Sequence, residues 1–377
     1  MKRLLLAGGG HAHLAVLRAL ARRPWPGVEV TLLSPWPRQL YSGMVPGWMA
    51  GHYRLEQCAA PLAPLARAAG ARFVCAGLEA LDADRRLVRT DGGETLAYDL
   101  LSLATGAGVD TAALAACGGR LLPIRPLEAF VAGWEKLLMA CRARRRASLA
   151  VVGGGAAGVE LALAARYRLA NELGADAVQV NLIAGGGLLP DHGRRLAARA
   201  ATTLARAGVA LFAVPAAGHP DGLQLADGRL LAADHVLAAT GVRPPPWLAG
   251  SGLRLADDGF VVVEAGQQSV SHASVFAAGD IASRPDAPHA KSGVHAVRAG
   301  PVLAANLQRH LQGLAPRPYR PQRRSLYLLA TGPRQALASW DGLAAGGAWA
   351  WYWKDWIDRR FLRRYDSATD SPDEDGA

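Results

Sequence analysis

Apolar positions along the chain fall into short runs separated by glycine turns and by Ala/Leu-rich stretches of helical period. Arg3 to Ala7 reads as a short buried strand, Gly8-Gly9-Gly10 as a turn and Ala12 to Arg22 as a helix. After Pro24 and Pro26, Val28 to Leu33 reads as a second strand, which completes one βαβ unit. From Ala147 the same grammar returns. Leu149 to Val152 is a strand, Gly153-Gly154-Gly155 a turn, Ala156 to Arg168 a helix and Val178 to Ile183 a strand. Each copy runs on to an Ala-Thr-Gly turn, at Ala104-Thr105-Gly106 and at Ala239-Thr240-Gly241, so the repeat extends beyond the glycines.

Further on, Leu253 to Val263 is expected to be strand, and Val275 to Asp280 a buried strand closed by Gly279-Asp280. A helix is expected from about Gly293 to Leu311. Pro316, Pro318 and Pro321 then mark a linker, and a final segment holds five of the ten tryptophans.

A length of 377 residues predicts two or three domains, and 51% hydrophobic against 19% charged residues supplies buried cores. The four cysteines, Cys58, Cys75, Cys117 and Cys141, form no C-x-x-C and no close Cys/His cluster, so spacing points to neither a metal site nor a redox dithiol. They fit packing in a reducing, cytoplasmic compartment. The apolar run after Met1 stops at Gly8, too short for a signal peptide, and no stretch approaches the ~20 apolar residues of a membrane span. Net charge is +11, nearly all from arginine because lysine occurs only at Lys2, Lys136, Lys291 and Lys354. The last twelve residues carry five acids and no base and are expected to be disordered. Such a balance suits nucleic acid, anionic lipid or phosphorylated small molecules without choosing among them, and no motif supports specific nucleic-acid binding.

Glycines at a strand-to-helix turn let the backbone approach a pyrophosphate while the helix N-terminus presents free N–H groups to it. The first copy has Gly8 and Gly10 but His13 in place of the third glycine, which either loosens helix-to-strand packing or makes His13 a local contact. Ser34 stands where an acid would bind a ribose hydroxyl. The second copy is complete at Gly153, Gly155 and Gly158. Its second strand ends Ile183-Ala184-Gly185, with neither the acid that favours NAD nor an adjacent arginine that favours NADP; Arg194 and Arg195 further on either reach a 2′-phosphate or, as charge runs usually do, form solvated surface, which leaves the choice between NADH and NADPH open.

Two such units in tandem, followed by a strand ending Ala278-Gly279-Asp280, resemble the two-dinucleotide-binding-domain flavoproteins of the pyridine nucleotide-disulfide oxidoreductase superfamily, over about residues 1 to 312. The resemblance implies an α/β fold of two Rossmann-like domains plus a small C-terminal cap. Its parts would be 1–118 and 249–315 for the FAD domain, 119–248 for an inserted NAD(P) domain, 316–365 for the cap and 366–377 for the tail. FAD would bind the first unit through Gly8, Gly10, His11, His13, Ser34, Thr105 and Gly106. NADH or NADPH would bind the second through Gly153, Gly155, Gly158 and Gly241. Gly279 and Asp280 would meet the flavin ribityl chain, and the helix opening at Gly293 and Val294 would aim its positive end at the flavin.

Disulfide reductases of that superfamily carry a cysteine pair soon after the first unit, where this chain has Leu40-Tyr41-Ser42-Gly43-Met44-Val45-Pro46. The chain therefore resembles the cysteine-free branch, similar to type II NADH dehydrogenases, and more narrowly a subgroup also found fused to selenide, water dikinase. Expected function is transfer of electrons from NAD(P)H through flavin to a separate acceptor, a quinone by preference, with Glu160 orienting the hydride donor and Lys291 stabilising negative charge. His11 and His13 read as packing and hydrogen-bonding residues, not metal ligands. A flavin-binding signalling or assembly module and a selenium-metabolism reductase are the alternatives. In the segment Trp349 to Tyr365, Trp349, Trp353, Ile357, Phe361 and Tyr365 make one helical row with Lys354, Arg360 and Arg364 close by. Peripheral contact with the inner face of the cytoplasmic membrane is one expectation for it, and packing on the FAD domain the other; a homodimer is also expected.

Overall fold

A computed structural model of the chain describes residues 1–322 and 324–366. The acidic tail, apart from Asp366, lies outside the described residues.

The first sheet opens with β1 (Lys2–Ala7), followed by helix α1 (His11–Arg22), β2 (Val28–Leu33), β3 (Arg72–Val74) and β4 (Leu100–Leu103). The second holds β5 (Leu121–Pro123), then α2 (Leu127–Arg144), β6 (Ala147–Val152), α3 (Ala156–Leu173), β7 (Val178–Ile183), α4 (Arg194–Ala207), β8 (Val209–Phe212) and β9 (His235–Ala238). Strand β10 (Val275–Ala277) then returns to the first sheet, and α5 (Gly293–Leu311) packs on α1. The strand orders are β10-β4-β1-β2-β3 and β5-β9-β6-β7-β8, and both sheets are wholly parallel. Each five-stranded sheet is thus laid out alike around a βαβ pair. The registers correspond too, with Ala7 opposite Leu33 and Val152 opposite Ile183.

Parallel sheets need both faces covered, and their strands are accordingly near-continuous in Leu, Val and Ala. On one face of the first sheet, α1 buries Ala12, Leu14, Val16, Leu17 and Leu20, against Leu303 and Leu307 of α5. On the other lie Leu5, Leu81, Val261 and Ile281. The second sheet has its own cores, one extended by Met49, Leu329 and Leu337 from outside it.

Two expectations change. Leu253 to Val263 is largely not strand: Gly259 and Ala256 close a turn that folds the segment on itself, leaving Val261–Val262 as strand. The tryptophan-rich end is also richer than expected. An antiparallel sheet of β11 (Tyr327–Ala330), β12 (Ala336–Trp340) and β13 (Leu343–Gly347) precedes helix α6 (Ala348–Arg363). The helical row divides along its length. Phe361 and Tyr365 are buried in the first sheet's core, whereas Trp349 and Trp353 are exposed along with Tyr352 and Trp356. Lys354 is buried, not snorkelling. Among the described residues, no helix is long and apolar enough to cross a membrane.

Candidate dinucleotide site

The two glycine turns are built alike atom by atom. The Gly8 amide donates to Leu33 O at 2.8 Å and the Gly153 amide to Ile183 O at 2.8 Å. Ala104 N donates to Ala7 O, and Ala239 N to Val152 O, both at 2.8 Å. Gly8 and Gly153 have φ of +97° and +133°, and a Cβ on either would run into the carbonyl of Ala104 or Ala239. Only glycine allows that approach. The copies differ at the third glycine. A Cβ at Gly158 would strike the Gly153 carbonyl, so α3 closes tightly on its turn. At the same place in α1 the His13 ring fills the gap, with Nδ1 2.6 Å from Gly8 O and Nε2 2.8 Å from Ser102 Oγ. A carbonyl only accepts, so Nδ1 carries the proton and the Ser102 hydroxyl donates to Nε2. Burial holds His13 down to about 4, which keeps this neutral tautomer at physiological pH.

A cleft of about 360 Å³ opens above the first turn. Its walls include Gly8, Gly10, His11, Ser34, Thr105, Gly106, Gly279, Asp280 and Gly293. The N-terminus of α1 points here without an acid in its first turn or a side-chain cap, and that of α5 does the same. Both therefore offer free N–H groups and positive potential to an anion. His11 Nε2 and Thr105 Oγ1 are buried without a partner. The His11 ring rests against Tyr41 and Phe361, with centroids 5.5 and 6.0 Å away, and burial lowers it to about 4. A glycine cradle, two helix N-termini and two orphaned polar groups fit a dinucleotide pyrophosphate with its attached sugars.

Geometry adds residues that the motif reading missed. Arg125, which follows β5, projects into the cleft and pairs with Asp280 at 2.6 Å. Arg38 holds Glu128 through two hydrogen bonds of 3.0 and 3.1 Å on the same wall. Trp36 and Trp247 complete the lining. Arg125 had a faint signal, a lone cation set between Ile124 and Pro126 after an apolar run; the others had none.

Several expected residues lie elsewhere. Gly153, Gly155, Gly158 and Gly241 belong to the second unit, and Val294 is exposed and not part of the cleft wall. Lys291 faces the back of the Gly279–Ile281 turn. Its ammonium donates to Asp280 O and Ala282 O at 3.2 and 2.9 Å and sits 3.6 Å from the Phe260 ring centroid. Burial lowers its pKa. Glu160, one turn into α3, accepts the Ala330 amide at 2.8 Å and so is covered by the C-terminal sheet. Burial pushes its carboxyl up to about 7 against the lowering pull of Lys354. Lys354 itself donates to Asp358 and to the Gly43 carbonyl, each at 2.6 Å. Burial disfavours its charge, but Asp358 and Glu160 outweigh that and raise its pKa. The turn at 41–46 is thereby clamped by α6. Cys58 lies beside this turn, where Tyr41 N donates to Cys58 O, but its thiol is buried and pushed up to about 12, hence unreactive. Among the described residues no group of three His, Cys, Asp or Glu is placed to hold a metal.

Comparison with known proteins agrees with this geometry. The ferredoxin–NAD(+) reductase component of the biphenyl dioxygenase system of Paraburkholderia xenovorans (strain LB400) is 33% identical over 213 residues, 54% of this chain and 48% of that protein. The chain thus spans about half the length of this curated relative. The sulfide-quinone reductase of Aquifex aeolicus (strain VF5) is 31% identical over 105 residues, 28% of this chain and 24% of that one. The solved structure of the sulfide:quinone oxidoreductase from Aquifex aeolicus superposes with a TM-score of 0.78 at 20% identity, covering 98% of this chain and 93% of the other, a likeness of fold. A family model described as pyridine nucleotide-disulphide oxidoreductase matches residues 2–300, a family whose members use FAD and NAD(P)H. With two glycine turns on two parallel sheets of one layout and a family model matched over residues 2–300, the chain belongs to the pyridine nucleotide-disulphide oxidoreductase family.

Proposed function

We propose that the protein is an FAD-dependent oxidoreductase of the type II NADH dehydrogenase kind. It takes electrons from NADH or NADPH and passes them to a separate acceptor, a quinone by preference. The observation that carries this reading is the cleft at the first turn, where His11 Nε2 and Thr105 Oγ1 are buried without partners between the positive ends of α1 and α5.

FAD bound in this cleft supplies two-electron uptake from a hydride donor and release to an acceptor. The chain's own groups hold and polarise. Amides of the first glycine turn would receive the pyrophosphate, and Asp280 and Arg125, paired on the cleft wall, would hold the rest of the cofactor. The α5 N-terminus favours negative charge at the cleft's inner end. Lys291 acts as a positioning residue, fixing the backbone of Asp280 from behind. Glu160, titrating near neutrality, holds or releases a proton beneath the C-terminal sheet, under the pull of Lys354. The turn at 41–46 contains no thiol, and the neighbouring Cys58 stays protonated, so a flavin held here would pass its electrons to an outside acceptor and not through an internal disulfide.

Quinone is favoured over ferredoxin by the C-terminal surface. Trp340, Leu343, Trp349, Tyr352, Trp353 and Trp356 are all exposed, and a groove of about 600 Å³ between them and α4 is lined by Arg195 and Arg199. Exposed tryptophans beside arginines suit the headgroup region of an anionic membrane, where a quinone resides. Protein reduced by NADH under argon and mixed with a soluble quinone or a ferredoxin tests the acceptor. Faster reoxidation by the ferredoxin overturns the quinone reading, and a bound flavin that neither nucleotide bleaches favours a flavin-binding module. Flotation with anionic liposomes is expected to fall when Trp349 and Trp353 become alanine; unchanged flotation removes the membrane contact.

A further inference from the structure

The second unit presents an unusual surface where an adenine ribose would lie. Ile183, the last residue of β7, stands beside Val152, so Ala184 occupies the place that Ser34 takes in the first unit. In such units a carboxylate at this point binds the ribose hydroxyls and repels a 2′-phosphate, while a nearby arginine attracts that phosphate. Ala184 does neither: its methyl group is fully buried against Gly154 and its amide donates to Phe212 O at 2.8 Å. The chain then turns back at once, Gly187 N donating to Ala184 O and Leu189 N to Gly154 O, each at 2.8 Å. Three consecutive glycines therefore border the ribose position, exposed and without side chains. Among the described residues the amides of Gly185 and Gly186 have no hydrogen-bond partner. An N–H donates as well to a hydroxyl oxygen as to a phosphate oxygen. Arg195 lines the tryptophan groove instead of this turn.

We propose that this turn makes the second site indifferent to the 2′ substituent, so that the protein binds NADH and NADPH with comparable affinity. The inference rests on the reading that the second unit holds a nicotinamide nucleotide. Gly185 cannot carry a discriminating side chain, because a Cβ there would lie 2.7 Å from the Pro215 Cα; Gly186 can, since nothing lies within 4 Å. Positions 184 and 186 are thus where selectivity is set.

The test is equilibrium titration of the flavin-loaded protein with NAD+ and with NADP+ by calorimetry, which needs no turnover. Dissociation constants within about tenfold of each other are expected. Ala184→Glu should shift the ratio at least about tenfold toward NAD+, and Gly186→Arg at least about tenfold toward NADP+. Because position 184 is buried, Gly186→Arg, in open space, stands as the independent variant. A parental preference above about tenfold, or a folded Gly186→Arg protein with an unchanged ratio, overturns the inference alone. Failure of both nucleotides to bind the parent overturns the reading of the second unit and this inference with it.

Discussion

His13 shows how one residue can replace a glycine without opening the fold. Where Gly158 lets α3 close on its turn, His13 bridges Gly8 O and Ser102 Oγ from a fully buried position. His13→Ala removes two buried hydrogen bonds and a ring, and should cost about 2–4 kcal/mol in urea unfolding. A loss below about 0.5 kcal/mol would show that the ring is dispensable. Glu160 makes a prediction about pH. Its folded carboxyl titrates at about 7, above the 4.5 of an unperturbed glutamate, because burial disfavours the charge. The folded state therefore holds the proton between those values, and stability is lost as pH rises through that interval. Glu160→Gln keeps an acceptor for the Ala330 amide and removes the ionisation. Its melting temperature relative to the parent should improve from pH 5 to pH 8, by the equivalent of roughly 1–3 kcal/mol; a difference independent of pH contradicts the assignment. Among these residues, the glycines were legible from the sequence because their spacing is the signal. Arg125 and the covering of Glu160 by Ala330 were not, since both depend on segments far apart in the chain.

At the scale of elements, the βαβ units and α5 were legible because apolar period and glycine punctuation act locally. Helix α5 spans Gly293–Leu311 as the pattern predicts, and α3 runs five residues past Arg168 because Leu169 still finds a core position. The segment Leu253 to Val263 misled for the opposite reason: its β-rich composition is overruled by a turn at Gly259. The C-terminal helix misled more instructively. Its aromatic row reads as one face, yet α6 meets two surroundings along its length. Phe361 enters the first sheet's core, and Lys354 is drawn inward by Asp358 and the Gly43 carbonyl. Those partners decide the burial of Lys354, and the Gly43 carbonyl lies 311 residues away in sequence. Asp358→Asn leaves that ammonium buried with its carboxylate removed and should cost about 3–5 kcal/mol. Thermal unfolding would check this, and a change within about 0.5 kcal/mol would mean that Glu160 alone suffices as counter-charge.

For the whole molecule, the second sheet repeats the layout of the first and is threaded between β4 and β10 of it. That arrangement sets two dinucleotide-type turns in one chain, and the C-terminal sheet and α6 tie them together through Glu160, Lys354 and the turn at 41–46. The surplus of arginine is partly used at named places, Arg125 in the cleft and Arg195 and Arg199 in the tryptophan groove. On the proposed function, the first unit holds a flavin which a nicotinamide nucleotide on the second unit reduces. Anaerobic titration of the purified protein with NADH and with NADPH, followed in the visible spectrum, tests it most directly. A bound yellow chromophore bleached by about one equivalent of either nucleotide is expected. A colourless protein that takes up no added FAD, or a bound flavin that neither nucleotide bleaches, would contradict it.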